Sequence, residues 1–272
     1  MTKTALMAVG GAAVLWAGTA FLLWRFQEKM LFFPRPTPPA ITQLFSHWKV
    51  EVKANDGKIL RGWEHPGDEN APKTDCALLI YFGGNSEEVS THLIDNGKRF
   101  SCPQWYVNYR GFGDSEGSPS AEQLRSDALN IADEAIAKLG GNGEICVMGR
   151  SLGTHMAAHV AANRPVKKLI MTTPFDSVLN VAKRRYPIFP VRAMLRHPFD
   201  TSAEAPNVSA PTLFLLAESD RVVPIQHSEK LIADWQAPHT VHRLYETSHN
   251  SMETHEYWQA IAEFMAPQNN DR

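Results

Sequence analysis

Gly149-Arg150-Ser151-Leu152-Gly153 constrains this chain more than any other stretch. Before it, Glu144-Ile145-Cys146-Val147-Met148 predicts a short buried strand. After it, the alanine-rich residues 154–162 predict a helix. A strand that passes into a helix through G-x-S-x-G turns so sharply that side chains two before and two after the serine would meet neighbouring backbone, hence the two glycines. The serine then stands above the sheet at the positive end of the following helix. Alone the pattern is cheap. With Gly and Ser each near 7% of residues, about one chain in ten of this length carries it by chance. A base, an acid and an oxyanion site elsewhere in the chain must complete it.

The residues around the motif alternate between the two regular structures. Residues 48–52 and 59–63 predict a hairpin across Asn55-Asp56-Gly57, a strong turn signal. Residues 77–82 form an unbroken apolar run, as expected of a strand buried on both faces. That run ends in Gly83-Gly84-Asn85-Ser86, and residues 87–100 read as a helix. Residues 105–109 are the next strand. Residues 121–139 are an amphipathic helix with Leu124, Ala128, Ile131, Ala135 and Leu139 at helical spacing, opened by Ser120 and closed by Gly140-Gly141. Strands follow at 168–172, 212–217 and 240–245, with helices at 225–235 and 251–265. The alternation implies a mostly parallel twisted sheet of about eight strands with helices on both faces, one α/β unit over residues 45–268. Residues 175–210, broken by Pro187, Pro190, Pro198 and Pro206, read as a small cap inserted over the site.

The amino-terminal end has a different character. Residues 5–24 carry no charge, and at about 1.5 Å per residue they reach across a hydrocarbon core of roughly 30 Å. The run is too long for an ordinary secretory h-region, so residues 1–29 are expected to form an uncleaved, single-pass membrane anchor. Lys3 on one side and Arg25, Lys29 and Arg35 on the other leave its orientation nearly balanced. Residues 30–44, with Pro34, Pro36, Pro38 and Pro39, read as a stiff extended linker.

Bulk numbers exclude some classes. A net charge of −2 gives no reason to expect a nucleic-acid partner. The three cysteines, Cys76, Cys102 and Cys146, lack metal-ligand spacing and are expected to be buried free thiols. Neither a metal site nor a cofactor is expected, since Gly83-Gly84 lacks the Lys and Ser/Thr of a phosphate loop.

The chemistry follows from what a serine needs. Its hydroxyl is a poor nucleophile until a histidine takes the proton, and a carboxylate must orient that histidine. Among eleven histidines, His249 alone lies in a loop after the last strand, where it returns to the rim that carries Ser151. His242 falls in a predicted strand and His255 in a predicted helix. Asp220, just past the strand at 212–217, is the expected acid; Asp176, Asp200 and Glu218 are its rivals. The oxyanion needs two pre-aimed N–H groups. Leu152 supplies one, and Asn85 in the glycine turn is the best candidate for the other. Arg110 and Asp114 read as a loop-bracing ion pair. Lys183, Arg184, Arg185, Arg192 and Arg196 read either as a solvated face or as contacts for anionic lipid headgroups.

These motifs, with Tyr109-Arg110-Gly111-Phe112-Gly113 and Thr173-Pro174-Phe175-Asp176-Ser177, give the chain a resemblance to the α/β-hydrolase superfamily over about residues 45–265. Within it, the chain resembles the membrane-anchored, small-cap branch labelled serine-aminopeptidase-like or prolyl-oligopeptidase-like. Such proteins commonly have histidine where this chain has Gly83. The resemblance implies a serine hydrolase that cleaves a carboxylic ester or thioester, acting on lipid or other acyl substrates near a membrane through an acyl-enzyme on Ser151. Two other readings keep the same residues: a serine aminopeptidase or amidase, and a non-catalytic membrane-tethered scaffold.

Overall fold

Eight strands pair in the order β1-β2-β4-β3-β5-β6-β7-β8. They are β1 (Lys49–Lys53), β2 (Ile59–His65), β3 (Leu78–Phe82), β4 (Gln104–Val107), β5 (Ile145–Arg150), β6 (Val166–Thr172), β7 (Thr212–Ala217) and β8 (His239–Leu244). The computed structural model describes residues 3–141 and 144–267. Met1 and Thr2 of the expected anchor, and Asn142, Gly143 and Gln268 of the expected α/β unit, lie outside the described residues. β1 and β2 form the antiparallel hairpin with Lys53 opposite Ile59, and β2 runs antiparallel to β4. All other pairs are parallel. Every residue of β3 and β7 is buried, as the continuous apolar runs require of strands covered on both faces.

Nine helices are described: α1 (Lys3–Leu31), α2 (Pro39–Leu44), α3 (Ser90–Asn96), α4 (Ala121–Lys138), α5 (Leu152–Asn163), α6 (Val178–Arg185), α7 (Val191–Met194), α8 (Ile225–Asp234) and α9 (His255–Met265). They sandwich the sheet between two apolar clusters. One joins Leu124, Ile131 and Ala135 of α4 and Met156 and Val160 of α5 to Ile80 and Val147 of the strands. The other sets Leu93 of α3 and Tyr257 and Ile261 of α9 against Tyr81, Met148 and Leu215. α4 begins where Ser120 caps it, its hydroxyl accepting from the Gln123 N–H at 3.3 Å. It ends at Gly140 and Gly141, both in the left-handed region (φ 78° and 83°), where the Gly141 N–H reaches back to the Ile136 carbonyl. α3 is shorter than the helix expected at 87–100. Glu87 and Glu88 are held instead by side-chain bonds in the preceding turn, and helix begins only at Ser90.

Three sequence expectations require correction. Cys76 and Cys146 are not free thiols but form a disulfide, with Cα atoms 5.8 Å apart. The register explains it: β3 and β5 are neighbours with Leu78 opposite Ile145 and Leu79 opposite Cys146, which brings Cys76 alongside. Cys102 is free and buried, as expected. Arg110 does not pair with Asp114. Its guanidinium makes two bonds to Asp127 on α4, at 2.6 and 2.7 Å, and one to Asp56 at 2.9 Å, while Asp114 accepts from the Thr42 hydroxyl. The segment at 30–44 is not a uniformly extended linker. α1 continues through Leu31, Phe32 is buried against His197 and Phe199 of the cap, and residues 39–44 form α2.

The insert between β6 and β7 carries α6 and α7, and α1 docks on it. Trp16 donates to the Ile188 carbonyl at 3.0 Å and stacks on Phe189. Gln27 donates to the Met194 carbonyl and accepts from the Arg196 N–H. Arg196 pairs with Glu28 at 3.0 Å, and its guanidinium lies over the Trp24 ring. α1 is long and apolar enough to cross a membrane by length and composition, and its most apolar stretch is not buried in the protein.

Candidate active site

β5 delivers Ser151 to the carboxyl edge of the sheet, and α5 starts at the next residue. Ser151 sits at φ 51°, ψ −117°, a backbone state costing about 1–3 kcal/mol that tight surroundings must hold. The flanking glycines show why. A Cβ on Gly149 would strike the carbonyl group of Gly153, and a Cβ on Gly153 would strike the carbonyl oxygens of Phe82 and Gly83. These neighbours are backbone and cannot turn aside, so both positions require glycine.

The structure brings together the three side chains expected from the sequence. His249 Nε2 lies 3.0 Å from Ser151 Oγ, and His249 Nδ1 lies 2.6 Å from Asp220 Oδ2. All three residues are buried at the edge of the site. Asp220 does not cap α8, whose N-cap is Pro224. Its second oxygen, Oδ1, accepts the Val222 and Val223 N–H groups, both at 2.8 Å, which locks the carboxylate with Oδ2 toward His249. With Asp220 fixed at Nδ1, the proton belongs on that nitrogen and Nε2 is left to accept from the serine. The rivals for the acid are engaged elsewhere. Asp176 bonds His227 and Lys230, each at 2.8 Å, and Glu218 pairs with Arg243 at 3.0 Å. Asp200 accepts the Ala203 N–H. His242 faces Glu256 at 3.0 Å, and His255 opens α9.

The turn after β3 faces the serine. Gly84 and Asn85 line the same pocket, of about 400 Å³, as Ser151 and His249. Leu152 occupies the first position of α5, where a backbone N–H has no intrahelical acceptor. The turn is braced on several sides. Glu87 accepts the Gly84 N–H at 2.9 Å and the Tyr81 hydroxyl at 2.8 Å, and the Tyr109 hydroxyl donates to the Gly83 carbonyl at 2.8 Å.

Two features of the site were not read from the sequence. Arg150, the variable residue of the serine motif, donates to the His249 carbonyl at 3.2 Å and to Asn250 Oδ1 at 3.1 Å, and approaches Glu87 at 3.4 Å. It thus ties the nucleophile turn to the histidine loop and to the glycine turn. Its place inside the motif was a signal; its partners, 63 to 100 residues away in the chain, were not. The second feature is the end of α1. Asn85 Nδ2 donates to the Leu31 carbonyl at 2.8 Å, and the Phe33 N–H donates to the Asn85 carbonyl at 2.9 Å. The expected oxyanion residue is therefore held from both sides by the segment that leaves the apolar helix. Among the described residues no cluster of His, Cys, Asp or Glu has the geometry of a metal site.

A serine on a strand–turn–helix elbow, with acid and histidine following at successive strand ends, defines the α/β-hydrolase architecture. No protein-family model matches the chain. Individual proteins do. It is 26% identical over 261 residues to the alpha/beta hydrolase domain-containing protein WAV2 of Arabidopsis thaliana, covering 86% of this chain and 83% of that one. It is 31% identical over 197 residues to the lysophosphatidylserine lipase ABHD12 of Macaca fascicularis, covering 64% of this chain and 49% of that one. Among solved structures, an alpha-beta hydrolase from Vibrio vulnificus superposes with a TM-score of 0.70 at 19% identity, covering 89% of this chain and 93% of that one. The chain has the α/β-hydrolase fold and is similar to proteins named for it.

Proposed function

We propose that the protein is a serine hydrolase that cleaves carboxylic esters or thioesters of acyl or lipid substrates, tethered to a membrane by α1. The observation that carries this reading is the continuous relay from Asp220 Oδ2 through His249 to Ser151 Oγ. The likeness to a protein named as a lysophosphatidylserine lipase supports the substrate class. In the proposed reaction Ser151 Oγ attacks the acyl carbon while His249 Nε2 takes its proton. Asp220 steadies the imidazolium, and the carbonyl oxygen becomes an oxyanion facing the Leu152 and Asn85 N–H groups. Collapse of the intermediate breaks the acyl bond, and His249 returns the proton to the departing alcohol or thiol. Water then attacks the acyl-serine by the same route and releases the acid. An oxyanion donor of this kind contributes about 2.7–4 kcal/mol to the barrier reduction.

An aminopeptidase needs a free anion to hold the substrate's amino group. The pocket offers the cations Arg35 and Arg150, and its one carboxylate, Glu87, is already taken by Gly84, Tyr81 and Arg150. Esters and thioesters are therefore favoured over aminoacyl amides. A fluorophosphonate probe tests the reading on the full chain. Wild type should label, whereas Ser151→Ala should not and His249→Ala should label far more slowly. A folded wild-type protein that fails to label would leave the scaffold reading in its place.

A further inference from the structure

The docking of α1 on the cap fixes where the site stands relative to a bilayer. The apolar run of α1 ends at Trp24, and Arg196 lies over that ring while pairing with Glu28, a cation and an aromatic at the same level. Such pairs mark the boundary between hydrocarbon and headgroups. Trp16, eight residues earlier, lies about 12 Å deeper along the same helix. Yet Trp16 is where the cap tip touches, through the Ile188 carbonyl and the Phe189 ring, and Ile188 is 70% exposed. If α1 used only the residues before Trp16, it would be too short to cross. With α1 spanning, the tip of the cap must enter the hydrocarbon beside it.

Between α1 and the cap runs an apolar cleft lined by Leu23, Met30, Leu31, Val178, Tyr186 and Met194. It begins at the level of Trp24 and reaches Leu31, about 10 Å farther out along the helix. There the cleft lies next to the catalytic pocket without sharing a lining residue: the Leu31 carbonyl of its wall accepts from Asn85 of the pocket, and Phe33, two residues on, lines the pocket that contains Ser151. The cleft is therefore open to lipid at one end and adjoins the oxyanion turn at the other. Lys183, Arg184 and Arg185 on α6 and Arg192 on α7 lie exposed on the cap, the same insert that forms one wall of the cleft, positions suited to anionic headgroups.

We propose that this cleft takes the acyl chain of an ester substrate directly from the bilayer, with α1 as one wall and the inserted cap as the other, so that the carbonyl is presented to Ser151 without the chain passing through water. The assignment rests on the serine-hydrolase reading above. It deepens that reading by placing the acyl site and its entrance.

Two measurements on the full chain in phosphatidylcholine–phosphatidylglycerol nanodiscs test it. The first uses a phospholipid with a photoreactive diazirine at the end of one acyl chain. Irradiation should give adducts on both walls, α1 at 23–31 and the cap at 178–195. Adducts confined to α1, with none on the cap, would overturn the proposal whether or not the protein turns over esters. The second narrows the cleft with Met194→Trp, or with Leu23→Trp from the opposite wall should the first variant misfold. The ratio of kcat/KM for a long-chain to a short-chain p-nitrophenyl ester should fall about tenfold, the scale on which apolar pockets discriminate chain size. An unchanged ratio in protein that still labels with fluorophosphonate would refute the acyl site. Adducts on both walls without any fluorophosphonate labelling would instead refute the hydrolase reading, leaving a lipid cleft with no chemistry attached.

Discussion

Replacing Arg150 with Met tests how far the site depends on a residue that touches no substrate in the proposed reaction. Arg150 is mostly buried and donates to the His249 carbonyl at 3.2 Å and to Asn250 Oδ1 at 3.1 Å. Hydrogen bonds from a charged donor contribute about 1.5–3 kcal/mol each. Both bonds here are long, so the lower figure applies and the pair restrains the histidine loop by about 3 kcal/mol. If that restraint serves only to keep His249 Nε2 at hydrogen-bond distance from Ser151, kcat/KM should fall about a hundredfold. The loss should appear in kcat with KM little changed, because Arg150 acts by positioning the base. Arg150→Lys keeps the charge but not the fork, so it should recover only part of the rate. The assay is hydrolysis of a short p-nitrophenyl ester by the full chain in detergent. A folded Arg150→Met protein within about threefold of wild type would refute the positioning argument.

Three further outcomes follow from the packing. Gly153→Ala places a methyl against the Phe82 and Gly83 carbonyls, which should lose about 3 kcal/mol or more of stability, read as a shifted denaturant midpoint; an unchanged midpoint would show that the elbow can open. The Cys76–Cys146 bond joins residues 70 apart in the chain, so Cys76→Ala/Cys146→Ala should lose about 4 kcal/mol by loop-entropy arithmetic, and equal stability of oxidised wild type and double variant would dispute the bond. Burial holds His155 neutral, its pKa pushed down to about 3 from 6.5. The unfolded chain therefore takes up a proton near pH 6.5 that the folded chain refuses, so stability is full above that pH and is lost as pH falls toward 3. Between pH 7 and pH 5 this amounts to about 2 kcal/mol, and His155→Gln should flatten the pH dependence of unfolding by that much; identical slopes would exclude His155 as the source.

The parts of the fold that the sequence disclosed are those controlled by local pattern. The apolar run at 78–82, the Asn55-Asp56-Gly57 turn, and the Ser120 and Gly140-Gly141 ends of α4 each carry their own instruction within a few residues. The site was legible for a related reason. Chain order and strand-end position select Asp220 and His249 without knowledge of the packing, because parallel strands deliver their following loops to one rim. What escaped was set by register and docking. Nothing near Cys76 says that β3 lies beside β5, and nothing near Arg110 says that Asp127 will turn toward it when α4 packs on the sheet. The seating of α1 on the cap escaped for a further reason. A helix apolar all round presents no stripe from which a buried face can be inferred, so Trp16 gave no hint of Ile188.

The bond pair that holds Asn85 between Leu31 and Phe33 also governs how the chain can change length. A proline-rich stretch between a helix and a folded unit is ordinarily where insertions are tolerated most readily. Here one added residue between Phe32 and Pro34, in chain that is not helical, would add up to about 3.3 Å of length between Asn85 and the seat of α1 on the cap. A shift of α1 by that length would part Trp16, Gln27 and Glu28 from Ile188, Met194 and Arg196 together. The stretch is thus a spacer of set length, and homologous chains that share this docking should vary in its composition while keeping its residue count.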